Sequence, residues 1–427
     1  MLCIKNGKIV DGVSKSPFIA DILIKEDRIA EIGTNLSSDS INYIDATGKW
    51  VIPGLIDAHC HLREPGFEHK EDILSGMKSA AAGGFTSIAC MANTDPVIDN
   101  APLVEYIIKK ALSYGLIRVF PIAAVTKGQM GQELTDMAEL KKAGAVALSD
   151  DGKPILNSGI MKTALEYSGG PDLLIISHCE DIALSSDGVM NEGEMSTRLG
   201  LKGINRAAEE IMVARDILLS EVTGVRVHIA HISTKGSVEL IRQAKSRGVK
   251  VTCETAPHYF SADERMVDGY NTDAKVNPPL RSVSDVLAVI DGLVDGTIDI
   301  IATDHAPHHR DDKEVEFALA ANGLSGFELA FSLACTYLLK TNRINMVRFV
   351  ELMCVVPAKI LGIQGGTIEK NGRADVTVVD PDKEYIVDVN KFYSKGKNNP
   401  FKGSLLNGSV LHTISGGKLI VHNGKLI

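Results

Sequence analysis

The chain has 427 residues, 44% of them hydrophobic and 23% charged, with a formal net charge of −9. That length accommodates a barrel of about 250 residues plus a smaller domain, in the proportions of an ordinary globular protein. The acidic balance argues against nucleic acid or an acidic membrane surface as partner, and no apolar run approaches the roughly 20 residues a membrane helix needs.

The N-terminus, Met1-Leu2-Cys3-Ile4-Lys5-Asn6-Gly7, reads as a strand entering a turn, so no signal peptide is expected. Residues 1–50 carry short alternating strands such as Asp21-Ile22-Leu23-Ile24. The tail repeats the style in Ala374-Asp375-Val376-Thr377-Val378-Val379 and His422-Asn423-Gly424-Lys425. Asn-Gly between strand formers is a strong hairpin signal. Neither end alone has enough residues for a core. The expectation is one small β-sandwich domain built from 1–50 plus 365–427, with a catalytic domain, 51–364, inserted between. Seven cysteines, odd in number and scattered through apolar runs, suit reduced thiols in a cytoplasmic protein.

The middle alternates strand-like runs with helical patterns. Strands are predicted at 51–58, 85–91, 117–124, 144–149, 173–178, 225–231, 249–255 and 298–304. Segments 71–82, 207–219 and 237–246 between them have apolar residues at helical spacing. Eight β-then-α units predict an α/β fold, a (β/α)₈ TIM-like barrel with its site at the C-terminal strand ends. An open doubly wound sheet is the alternative, but it would not bring ligands from many strand ends into a ring.

Such a ring is visible. The first strand runs into Asp57-Ala58-His59-Cys60-His61, where alternation puts His59 and His61 on one face. The fourth runs into Asp150-Asp151, the fifth ends at His178, the sixth at His231, and the eighth at Asp304-His305. Packed together without a cation, these groups would leave polar atoms unpaired in a cavity. Four imidazoles and two carboxylates suit two divalent metal ions, and Zn²⁺ fits the N/O donors best. Residue type alone separates neither Asp150 from Asp151 nor the trio His305, His308 and His309. His228 reads as a packing residue, and His258 as a loop histidine with the site mouth as the alternative.

With these residues assembled, the chain resembles the dihydroorotases of the amidohydrolase superfamily, the longer bacterial and archaeal kind. The resemblance rests on Asp57-Ala58-His59-Cys60-His61-Leu62-Arg63-Glu64-Pro65-Gly66 and Ala302-Thr303-Asp304-His305-Ala306-Pro307-His308. It extends to Asn93-Thr94, Asn191-Glu192-Gly193, Lys275-Val276-Asn277-Pro278-Pro279-Leu280-Arg281 and Asn399-Pro400-Phe401. It implies one metal at His59 and His61 with Asp304 nearby, another at His178 and His231, and Asp151 bridging them. Hydantoinases and allantoinases share the plan but bridge with a carboxylated lysine. Here the fourth strand offers no lysine before Lys153. The chain departs from the family pattern at Ala92 and Ala321, where the family has proline; looser loops are expected there.

The implied reaction is reversible closure of N-carbamoyl-L-aspartate to L-dihydroorotate in pyrimidine synthesis, with a bridging hydroxide as the hydrolytic nucleophile and Asp304 as the proton shuttle. Arg63 is the expected bidentate clamp for the remote carboxylate. His61, Asn93, Asn277, His308, Asn322 and Gly323 match positions that contact the substrate. The other readings are a hydantoinase-like or allantoinase-like ring opener and an inactive scaffold subunit, although the ligand set is complete. A homodimer and docking onto another pathway enzyme are both compatible with the resemblance.

Overall fold

The computed structural model describes residues 1–36 and 42–427. The N-terminal segment forms β1 (Leu2–Ile9), β2 (Phe18–Lys25), β3 (Arg28–Gly33), β4 (Asn42–Asp45) and β5 (Trp50–Pro53). Along β2, Ala20, Ile22 and Ile24 are buried at every second residue while Ile19 faces out.

The apolar run 51–58 is not one strand. β5 pairs with β1, and the chain then passes through Gly54 into β6 (Leu55–Cys60), the first barrel strand. Gly54 is needed at this junction, because a Cβ there would meet Thr86 Oγ1 at 2.2 Å. Hydrophobicity hides the division, since β6 is fully buried and β5 nearly so.

The barrel continues with β7 (Phe85–Cys90), β8 (Arg118–Ala123), β9 (Ala147–Leu148) and β10 (Leu174–Ser177). A small parallel ribbon, β11 (Met190–Asn191) with β12 (Gly203–Ile204), stands outside it. β13 (Val227–Ile229), β14 (Val251–Thr255) and β15 (Ile300–Ile301) complete eight strands in sequential parallel order. The seam between β15 and β6 is closed by residues just beyond β15. The Asp304 amide donates to the His59 carbonyl at 3.0 Å, and the His61 amide to the His305 carbonyl at 2.8 Å. Buried Asp57 accepts from the Thr303 amide and hydroxyl at 2.7 and 2.6 Å. Helices flank the strands; Ile73–Ala82 starts at an Asp72–Ser75 capping box and buries Ile73, Met77 and Ala80.

The tail adds β16 (Val376–Ile386), β17 (Leu405–Ser415), β18 (Lys418–His422) and β19 (Lys425–Leu426). The terminal sheet runs β19-β18-β17-β16-β5-β1-β2-β3, with β4 beside β1. Ile22, Ile24, Val376, Val378 and Ile414 share one core although β2 and β16 are not neighbours. The small β domain expected from both termini is thus built on a nine-stranded sheet whose distant strands share one core. All seven cysteines are buried and free. Among the described residues no helix is long and apolar enough to cross a membrane.

Ile22 is fully buried in the core shared by both termini. Ile22→Ala is expected to cost about 2–5 kcal/mol in urea unfolding, the usual range for such a cavity. A loss below about 1 kcal/mol would mean that the site collapses around the deletion.

Candidate active site

Six side chains from five strand ends meet at one point. His59 and His61 come from the end of β6, Asp151 from beyond β9, His178 from β10, His231 from β13 and Asp304 from β15. Asp151 Oδ1 lies 3.5 Å from His59 Nε2, 3.4 Å from His178 Nδ1 and 3.3 Å from His231 Nε2. Its Oδ2 lies 3.6 Å from His61 Nε2. Asp304 Oδ1 sits 3.2 Å from His61 Nε2 and 3.6 Å from His59 Nε2. His231 and Asp304 hold φ of 30° and 46°, a strained region for side-chain-bearing residues that recurs at functional sites.

The electrostatics follow from this packing. Burial opposes charge on Asp304, but the His61 hydrogen bond and the nearby imidazoles outweigh it and hold the carboxyl down at about 2. Asp151 is likewise held well below the usual carboxylate range by His59, His178 and His231. Asp151 and Glu180 lift His178, despite its burial, to about 10.

An outer layer fixes which nitrogen of three of the rings faces inward. Glu254 on β14 lies 2.6 Å from His59 Nδ1, so Nε2 turns toward Asp151 and has no hydrogen-bond partner. Asn93 Oδ1 accepts from His61 Nδ1 at 2.9 Å. Glu180 lies 3.0 Å from His178 Nε2 and accepts from Asn277 Nδ2 at 3.0 Å. Such partners set tautomer and ring orientation at metal sites. Sequence reasoning missed Glu254. Its signal was a carboxylate in the middle of a buried strand, which demands a partner.

The donor set has the chemistry of a metal site. His59, His61 and Asp151 form one group and Asp151, His178 and His231 another, each with its donor atoms within 4.8 Å. All five residues are buried, and His59 Nε2 and His231 Nδ1 have no hydrogen-bond partner. Imidazole and carboxylate donors at this spacing fit a divalent cation in each group, with Asp151 shared.

The structure separates the neighbours that sequence left open. Asp150 accepts from the Val125 and Thr126 amides at 2.8 and 3.1 Å, so it caps a loop. His305 accepts from the Gly326 amide at 3.0 Å through Nδ1, which leaves Nε2 to donate to Glu71 at 3.3 Å. His309 is exposed and caps the turn Arg310–Lys313. His228 lies inside the barrel, 3.2 Å from Glu254 and 2.8 Å from the Thr252 hydroxyl. His258 corrects the loop expectation. It sits on the short helix Pro257–Ser261, 1% exposed, with both nitrogens unpartnered, and burial drives it down to about 4.

Above the cluster lie the remaining expected contacts. Arg63, at φ 63°, donates from Nε to the Pro307 carbonyl at 3.2 Å and lies 3.2 Å from His308 Nε2. That His308 nitrogen is 2.8 Å from the Asn322 carbonyl. The two expected loose loops are tied down. The Ala92 carbonyl accepts from the Thr94 and Ile98 amides at 2.8 and 3.1 Å. The Ala321 amide donates to the Asp312 carbonyl at 3.0 Å, a bond that proline could not make.

Residues 48–237 match the family model described as dihydro-orotase-like. The dihydroorotase of Acetivibrio thermocellus is 59% identical over 426 residues, covering 100% of each chain. That of Ruminiclostridium cellulolyticum is 53% identical, again over 100% of each. Among solved structures, the L-hydantoinase (dihydropyrimidinase) of Arthrobacter aurescens superposes with TM-score 0.89 at 26% identity, over 100% of this chain and 97% of that one. Together these likenesses indicate that this chain is a metal-dependent cyclic amide hydrolase. Identity above one half along the whole length, over a barrel whose strand ends gather four histidines and two aspartates, leads to one conclusion: the chain belongs to the dihydroorotase family.

Proposed function

We propose that this chain interconverts N-carbamoyl-L-aspartate and L-dihydroorotate, and that the six clustered side chains and the residues above them carry the reaction. The carrying observation is Asp151, whose carboxylate stands among four imidazoles where ring-opening relatives use a modified lysine. The nearest lysine on that segment, Lys153, is exposed. Two divalent cations, Zn²⁺ by donor preference, held by His59 and His61, by His178 and His231, and by Asp151 between them, would supply Lewis-acid activation of the carbonyl and of water.

Closure joins the carbamoyl nitrogen to a carboxylate carbon, consumes one proton and releases one water, because a dianion becomes a monoanion. Asp304, beside His59 and His61, takes the proton from the attacking nitrogen and returns it to the ring nitrogen on opening. The Arg63 guanidinium grips the carboxylate that does not react, in the bidentate geometry that lysine lacks. Asn93 spends its oxygen on His61, leaving its NH₂ for substrate. Asn277 is held by Glu180, and His308 with the backbone of Asn322 and Gly323 completes the anion end.

The reading is tested by offering dihydroorotate beside dihydrouracil and hydantoin, which lack the carboxylate. Turnover of the latter two but not of dihydroorotate would favour a hydantoinase-like activity. Three variants then test the roles. Asp304→Asn should keep most bound metal yet lose turnover in both directions by about 10²–10⁴, the usual worth of general acid–base help. Near-normal rates would remove it from proton transfer. Arg63→Lys should weaken substrate capture with metal content unchanged; an equal kcat/KM would make Arg63 structural. Glu254→Gln should lower metal affinity about 10- to 100-fold in chelator competition, as loss of such an outer partner does. An unchanged affinity would separate Glu254 from metal binding.

A further inference from the structure

Away from the ligand cluster, buried positive charge gathers at Lys275 and Lys313, which are 5% and 3% exposed. Among the described residues neither ammonium is paired with a carboxylate. Both are spent on backbone carbonyls. Lys275 Nζ donates to the Ala318 and Ala320 carbonyls at 2.9 and 2.7 Å, and lies 5.6 Å from the Phe317 ring centroid. Lys313 Nζ donates to the carbonyls of Ala321, Gly323 and Lys275 at 2.8, 3.1 and 3.3 Å. The Gly323 amide in turn donates to the Lys275 carbonyl at 2.9 Å.

Burying an ammonium without a counter-ion is costly, and an apolar side chain would fill the space without that cost. The arrangement makes sense in terms of what it holds. Loop 318–323 turns the carbonyls of Ala318, Ala320, Ala321, Asn322 and Gly323 to side-chain donors, where no strand satisfies them. It ends at Gly323, whose φ is +135° and where a Cβ would meet the Ala306 carbonyl at 2.5 Å. Next to it, the Asn322 carbonyl touches His308, which touches Arg63. Lys275 itself begins the segment that carries Asn277.

We propose that Lys275 and Lys313 are positioning residues for the substrate, clamping loop 318–323 to the Asn277 segment so that the remote carboxylate is gripped from both sides; this role rests on the site reading given above. They act through the loop, and their charge also favours an anionic ligand. Burial lowers Lys313 to about 8, with Asp273 and Asp312 opposing the fall and Lys275 adding to it; Glu314 and Lys402 act in turn on Asp273. Above that pH the amine loses its charge and the clamp weakens.

The test is steady-state kinetics in both directions from about pH 6.5 to 9.5 on metal-loaded wild type, Lys313→Met and Lys275→Met, with metal content measured. Each variant should raise KM about tenfold or more while kcat moves less than about threefold. Wild-type KM should climb above about pH 8, and that climb should be missing in Lys313→Met. A purely structural lysine would not produce that pH difference. Unchanged KM, a loss confined to kcat, or a pH profile shared by variant and wild type would overturn the proposal. Should Lys313→Met fail to fold, Lys313→Gln keeps a donor without the charge and should show a raised KM with no climb near pH 8. A wild type inert on both substrates would bring down the site reading itself, whereas an active wild type with KM-neutral variants sinks the clamp alone.

Discussion

Everything in this barrel answers to the burial of one carboxylate. Asp151 sits among His59, His61, His178 and His231, with Asp304 alongside, in a space nearly closed to water. Taking that many ionisable groups out of solvent is costly unless each finds partners of fixed geometry. Strand ends meet the requirement because adjacent strands lie about 4.8 Å apart and hold their side chains rigidly. Each of the six side chains therefore comes from the last residues of a strand or the first residues beyond it.

That demand spreads outward. Three imidazoles are oriented by a second polar group, and those groups belong to other strands and loops: Glu254 to β14, Asn93 to the segment after β7, Glu180 to the segment after β10. The barrel seam is closed by hydrogen bonds at His59, His61, Asp304 and His305, so the site and the closure of the fold share the same backbone. The C-terminal segment takes part as well. Ser394 donates to Glu71, which holds His305, and Asn398 donates to the Gly323 carbonyl at 2.9 Å. The terminal sheet and the mouth of the site are thus parts of one hydrogen-bonded assembly.

The mouth uses charge differently from the centre. Anionic side chains dominate around the imidazoles, whereas Arg63, Lys275 and Lys313 stand near Asn322 and Gly323 with hydrogen bonds to backbone carbonyls. Groups suited to holding a cation and groups suited to holding an anion thus sit in different parts of the site. A substrate with two carboxylates, one reacting and one remote, suits that separation.

The sequence by itself determined the eight alternating units, the pairing of His59 with His61, and the strand-end ring of histidines and aspartates. These are local facts, set by side-chain periodicity and by the chemistry of residue types. The tertiary structure decided what depends on distant partners. It gave Asp150 to Val125 and Thr126 and left Asp151 to the imidazoles; it split 51–58 between two sheets at Gly54; it buried His258 and turned His305 away from the cluster. Glu254 and the two lysines acquire meaning only from atoms that the chain brings back across long separations, 195 residues in the case of Glu254 and His59. Periodicity tells which face a side chain takes; only the closed barrel tells what waits on that face.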